Sequence, residues 1–543
     1  MSTLNFTIQT AEPLSQFTPR LGRLSLHRHE GPPAQDILTP ALITTTSRGI
    51  VPHLSRDNVV ATSPIAWTQV HFETFLEQTP PVLALHKGSH PLHTFLGYEP
   101  EKHILALSLR DPHDGQEMPP NTKEYVTCRC VRGVRRVSPA SWRSLVLACK
   151  PDVVTALADT PFTPLPHSQK RITKSLERST AWLADLLKPS QETVPTEHPA
   201  VLVQMAGGNE VRARKAFAEG LVERLYGKDQ ELVSPLQTLD EGIAGYVFDL
   251  VPLQLSLAPV AAARVEETVS SSAHERLLKA SLAPLPITKP RIVHSARSPH
   301  TLLRLIQDIG IDLFDAHFAQ RAADIGIALD FTFPAPYSTQ TEEQHLALLP
   351  RKRENRTDLG HNLFAATYAH DHSCLAACFA GAASFPSISQ LSSEFPVCLC
   401  GACSPRSYPS WIQHSALDTL PTDVGTFQKP FTRSYIHHLL HTHEMSSHTL
   451  LAMHNLTVME AFLAGVRGVL SKVDGAKLFT EEVTRFHEVY DEHMVVFEEA
   501  KVEWASVERA RGKGRLQREK PGNTTPLADS TAMSARVSEK GAL

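Results

Sequence analysis

The chain has 543 residues, 42% hydrophobic and 20% charged, with a formal net charge of −4. That length allows several domains or one large barrel with additions, in a globular protein with a sizeable core. The slight acidity argues against a chain that captures nucleic acid by itself, and eight cysteines over this length exclude a disulfide scaffold and suit a reducing, cytosolic compartment.

No run of eighteen uncharged apolar residues occurs; the most apolar region, 243–265, is broken by Asp249, Pro252 and Pro259. The N-terminal stretch lacks an apolar signal core and reads as a first hairpin rather than a transit peptide. Short apolar runs at 81–85, 103–107, 151–157, 199–204, 245–248, 291–293 and 311–314 read as strands. Helical spacing marks 169–187, 210–226, 273–282 and 299–309. Strands apolar throughout and separated by helices predict a parallel sheet covered on both faces, and their number favours a closed (β/α)8 barrel. Gly207-Gly208 reads as a tight turn, Cys128 and Cys130 alternate in a strand, and Cys374 and Cys378 read as buried free thiols. Polar residues 341–356 suggest a surface insertion, and the Pro/Ser/Thr-rich stretch 404–430 a loop. Helices are expected at 458–470 and 481–501, then a disordered tail. The expected units are a barrel over 1–397, a metal-binding subdomain over 398–503 and the tail over 504–543.

The densest chemical signal is Cys398-Leu-Cys400-Gly-Ala-Cys403. Three thiols within six residues can converge on one ion, and a histidine would complete a closed tetrahedral Zn²⁺ site, one per chain and structural. His437, His438, His441, His443, His448 and His454 are candidates. His454 is favoured, because Thr457-Val-Met-Glu460 reads as a capping box that would start a helix near 458 and leave His454 at a rigid position just before it.

The cysteine run, Thr432-Arg433-Ser-Tyr435-Ile-His437-His438-Leu439, Glu444-Met445 and Leu450-Leu-Ala-Met-His454-Asn455 together resemble the zinc subdomain of tRNA-guanine transglycosylases. Thr39-Pro-Ala-Leu-Ile through Pro52-His53-Leu54 is similar to that family's N-terminal segment, and Gly310-Ile-Asp312-Leu-Phe314-Asp315 to the strand carrying its nucleophile. The resemblance implies a (β/α)8 barrel with a zinc-binding subdomain inserted near its C-terminal end. It also implies guanine exchange at the tRNA wobble position 34, for queuine in eukaryotes, by one aspartate nucleophile and one base-recognising aspartate.

Departures fall where the chemistry should be. In the best register Leu107 stands at the place of the base-recognising aspartate, and the paired glycines after it are absent. Leucine can neither accept a hydrogen bond nor move a proton. Asp315 keeps the nucleophile position, without the run that follows it in the family, and reads as vestigial; the glycine-rich base-pocket loop is only partly kept around Gly242-Ile-Ala-Gly245-Tyr246. No catalytic residue is therefore expected. This pattern resembles the non-catalytic partner of the family's eukaryotic heterodimer, which would reach tRNA through its catalytic subunit. That implies a cytoplasmic protein, with peripheral association at the mitochondrial outer membrane left open. Two alternatives stand: an active transglycosylase using Asp315 with Asp111 or Asp159 replacing the lost acid, and a zinc-stabilised binding module unrelated to tRNA.

Overall fold

Eight strands pair in parallel and close on themselves in the computed structural model: β1 (Ala41–Thr45), β2 (Trp67–His71), β3 (Ile104–Ser108), β4 (Val153–Thr155), β5 (Ala200–Gln204), β6 (Gly245–Asp249), β7 (Arg291–His294) and β8 (Leu313–Asp315). β8 returns to β1 with Leu313 opposite Ala41 and Asp315 opposite Ile43. The structure describes residues 3–9, 15–28, 36–78, 80–160, 167–189, 198–254, 267–336, 350–353, 355–376, 398–407 and 426–519. Six of the seven apolar runs become barrel strands. The seventh, 81–85, is a helical turn over Val82–Leu85: of its side chains Leu83 is buried while Val82 and Leu85 stay exposed, a one-sided burial that a central strand does not have.

Side chains alternate along every strand. Ile43, Trp67, Ala106, Val153, Leu202, Val247, Ile292 and Leu313 fill the barrel interior. Their neighbours Leu42, Val70, Leu107, Val154, Val203, Phe248, Val293 and Phe314 pack outward against the helices. Helices Gln169–Leu187 and Pro299–Ile309 keep the limits read from the sequence, each started by a serine cap, Ser168 and Ser298.

The N-terminal face is closed by antiparallel strands Thr3–Ile8, Gly22–His27 and Ile37–Thr39, whose Leu4, Leu24 and Leu26 join the interior cluster. Two buried ion pairs pin this lid. Arg20 holds Asp312 just before β8, and Arg28 holds Asp152 just before β4 at 2.6 and 2.8 Å. Both carboxylates also accept a neighbouring strand's N–H, from Arg291 and Leu105, so the buried charges are fully partnered.

The C-terminal third departs from expectation in three places. One helix runs unbroken over Ser446–Leu470 rather than starting near 458. Thr457 does not cap: its hydroxyl donates to the Met453 carbonyl at 2.8 Å, within the helix. This helix is long and apolar enough to span a membrane by composition, but most of it is buried against the barrel. The segment expected as one helix over 481–501 is two, Gly475–Val489 and Val495–Glu519. Between them Tyr490 turns inward to accept the Thr332 N–H, Met494 is left-handed, and Asp491 caps the second helix by accepting the Val495 N–H at 2.9 Å. That second helix also overturns the disordered tail up to residue 519, with Trp504 packed on Phe364 and His448. Of the expected insertion 341–356, residues 341–349 and 354 lie outside the described residues, and the rest includes a small hairpin, Lys352–Arg353 with Arg356–Thr357. The ends of the expected 404–430 loop pair as Arg406–Ser407 with Thr426–Phe427, while 408–425 and Cys378 lie outside the described residues.

Candidate functional site: a buried Cys3His group and the barrel mouth

Cys398, Cys400 and Cys403 converge on His454, with all four ligand atoms within 4.8 Å of one another and all four residues buried. His454 Nδ1 lies 3.6 Å from Cys400 Sγ and 3.4 Å from Cys403 Sγ. Its Nε2 lies 2.9 Å from the Leu329 carbonyl, which can only accept, so Nε2 carries the hydrogen and Nδ1 presents a lone pair to the thiols. His454 sits in mid-helix and not ahead of one, which makes its position more rigid than the capping-box reading supposed. Three of the competing histidines are engaged elsewhere: His437 and His441 bond the carbonyls of Leu363 and Phe364, and His448 that of Ala323, while His438 and His443 are exposed and lie outside the group.

The thiols cannot all ionise by themselves. Burial opposes ionisation of Cys400, but hydrogen bonds from Cys398 and Cys403 overcome it and pull its pKa down. Burial and the neighbouring sulfurs push Cys398 and Cys403 up instead. A dication resolves that conflict, and three sulfurs plus one imidazole leave it no open position. The group can therefore hold a metal ion in a structural role. Asn455, the next residue, accepts from Leu329 N and donates to Ile327 O at 2.9 Å each, so one dipeptide fastens the metal helix to strand Ile327–Leu329.

The barrel mouth lies at the strands' C-terminal ends, where inward positions turn polar: Gln69, Ser108, Thr155, Gln204, Asp249 and His294 line it. Asp315 ends β8 with its side chain fully buried. Its Oδ2 accepts from the Ser295 N–H and from His113 Nε2 at 3.1 Å, and its Oδ1 from the His317 N–H at 3.2 Å. His113 Nδ1 binds Asp111 at 3.0 Å, and His317 stacks on the His113 ring at 3.9 Å. Burial opposes a charge on His113, yet the Asp315 and Asp111 carboxylates prevail and push it up to about 10. Burial likewise opposes ionisation of Asp315, and His113 and His294 hold it well below the usual carboxylate range. At neutral pH an imidazolium is thus clamped between two carboxylates. Both carboxylate oxygens of Asp315 thus accept hydrogen bonds from within the protein.

The structure revises how the sequence-derived candidates relate to this mouth. Leu107 does not face it: paired beside Val70 and Val154, it points into the helix layer, and the inward position is Ser108. Gly245 begins β6, so the segment taken as a base-pocket loop lies at the opposite face, where the Tyr246 hydroxyl bonds Asp240. Gly207-Gly208, after β5, stands at the mouth instead. Both residues are left-handed, and a side chain on Gly207 would meet the Arg214 backbone at 2.6 Å. Asp111 reaches the mouth. Asp159 does not; Arg171, Arg178 and Asn121 consume its oxygens. His113, Gln204, Asp249 and His294 went unread. The last three each stand two positions after an interior apolar residue of the same strand, Leu202, Val247 and Ile292, whereas nothing local marks His113, which lies in a loop 202 positions from its partner.

A closed parallel (β/α)8 barrel carrying a Cys3His clasp between its eighth strand and the helix Ser446–Leu470 defines the class. The sequence pattern of the queuine tRNA-ribosyltransferase family matches residues 16–382 and 421–489, and the chain belongs to that family. It is similar to proteins named queuine tRNA-ribosyltransferase accessory subunit 2. One from Ixodes scapularis is 24% identical over 434 residues, 79% of this chain and 88% of the relative. One from Drosophila persimilis is 25% identical over 489 residues, 87% and 91%. One from Danio rerio is 22% identical over 448 residues, 80% and 88%.

Proposed function

We propose that this chain is the non-catalytic subunit of a queuine tRNA-ribosyltransferase heterodimer. It supports a catalytic subunit that exchanges guanine for queuine at wobble position 34, and it meets tRNA through the complex. The observation that carries this reading is the occupied state of Asp315, the carboxylate at the family's nucleophile position, locked by His113 and two backbone N–H groups. The names of the relatives agree with it. We further propose that the metal is Zn²⁺, one per chain, held by Cys398, Cys400, Cys403 and His454; the all-sulfur-and-imidazole donor set supports it. Free thiols at Cys128, Cys130 and Cys149 support a cytoplasmic setting, and cell fractionation tests both that and peripheral association at the mitochondrial outer membrane.

The proximity of Asp111 to Asp315 favours one rival, an active transglycosylase using both. Base exchange into tRNA by the purified chain, alone and mixed with a catalytic subunit, separates the two. Activity is expected in the mixture alone. Turnover by the isolated chain that Asp315→Asn abolishes would establish the rival instead.

A further inference from the structure

From Tyr125 to Pro151 the sequence contains six cations (Arg129, Arg132, Arg135, Arg136, Arg143 and Lys150) and no acid, in a chain whose net charge is −4. Four of them decorate one antiparallel hairpin, Val126–Cys130 with Gly133–Val137, paired in register over five positions. The inner side chains Val126, Cys128, Cys130 and Val137 are buried, so the hairpin is anchored rather than free. Its base is tied to the barrel mouth: the Glu73 carboxylate accepts the Asp111 and Arg129 N–H groups at 2.7 and 3.0 Å, and Arg110 donates to the Thr127 carbonyl.

The charges at its tip are barely neutralised. Among the described residues, the one carboxylate within 4.0 Å of any of these four guanidinium groups is Glu77 beside Arg132, and Glu77 also serves Arg48. Arg136 lies over the Tyr125 ring at 4.8 Å, and Arg135 donates to the Leu76 carbonyl. Arg132 is 63% exposed, and Val131 beside it 74%, so the tip of the hairpin faces solvent. A rigid, arginine-rich projection at the rim of the mouth loses little conformational freedom on meeting a polyanion.

We infer that the hairpin 126–137 is an RNA-docking surface, with Arg132 and Arg136 contacting phosphates of the tRNA held by the heterodimer. The inference rests on the accessory-subunit reading and deepens it, because it gives this chain a contact of its own with the nucleic acid. A nucleic-acid backbone fits better than an acidic protein: the hairpin's charged side chains are all guanidinium groups, and its base is tied to the barrel mouth.

The test is tRNA binding by the assembled heterodimer, measured by fluorescence anisotropy across a salt series. The double variant Arg132→Glu/Arg136→Glu is expected to weaken binding about tenfold or more and to lower the salt slope by roughly 2. Arg132→Lys/Arg136→Lys should stay near the unmodified affinity, since phosphate contact needs charge more than a fork. Circular dichroism and melting of each variant verify folding. Unchanged affinity and slope in the charge-reversed pair would overturn the inference while leaving the accessory reading intact. Loss of heterodimer assembly would also overturn it, by assigning the hairpin to the subunit interface. Failure of the unmodified chain to assemble with a catalytic subunit at all would instead strike the accessory reading itself.

Discussion

The Cys3His group and the barrel mouth are both buried clusters of ionisable side chains, and they have opposite logic. At the clasp, charge is left in want of a cation: three thiols face one lone pair of His454. At the mouth, the carboxylates already have a cationic partner inside the protein, because His113 fills the gap between Asp111 and Asp315. One cluster can receive an ion, and the other is already partnered within the protein. Under the function proposed above, the first would tie folding to a bound metal and the second would hold Asp315 away from chemistry.

Removing the metal should have the largest effect. Cys400→Ser, or prolonged chelation, is expected to abolish binding of about one zinc per chain and to destabilise the fold by several kcal/mol. Metal analysis and thermal melting measure this; full stability without metal would erase the contrast between the clusters. Next, Leu107→Asp should bury a carboxylate between Val70 and Val154, costing about 3 kcal/mol or more, and should not confer base exchange. Exchange activity gained by this variant would show that position 107 reaches the substrate.

His113 gives a pH signature. Its folded pKa, about 10, exceeds its ordinary 6.5, so its contribution is fully present below about 6.5 and is lost as pH rises through 10. Urea denaturation of the unmodified chain should therefore show stability falling between those values. His113→Ala should be less stable by a few kcal/mol at neutral pH and flatter over the same window. A parallel decline in both proteins would show that Asp315 is not held by this ring. The smallest effect belongs to Thr457→Ala, expected within about 0.5 kcal/mol, where loss of a true N-cap would cost about 1.

The barrel was legible because its strands are apolar on both faces, a pattern that few other arrangements produce. The clasp was legible too, since metal ligands must be particular residue types at close spacing. What escaped was orientation. Leu107 and Ser108 differ by one position, which in a strand reverses the face, and an uncertain register cannot decide between them. Thr457 carries a capping-box sequence inside a helix whose start is set by packing of the preceding turns on the barrel. The His113–Asp315 contact joins residues that no local pattern connects.

The lid beneath the barrel also constrains the order of events during synthesis. Arg20 finds Asp312 across 292 positions, and the lid's Leu24 and Leu26 bury themselves among strands that reach to Leu313. At about 5–20 residues per second, a ribosome needs roughly 15–60 s to make that stretch. Through that interval the nascent chain carries an unmatched arginine and a bare apolar ledge at its leading end. Messages truncated before codon 312 would leave that ledge permanently exposed, so chaperone binding and proteolysis of such fragments should depend on Leu24 and Leu26.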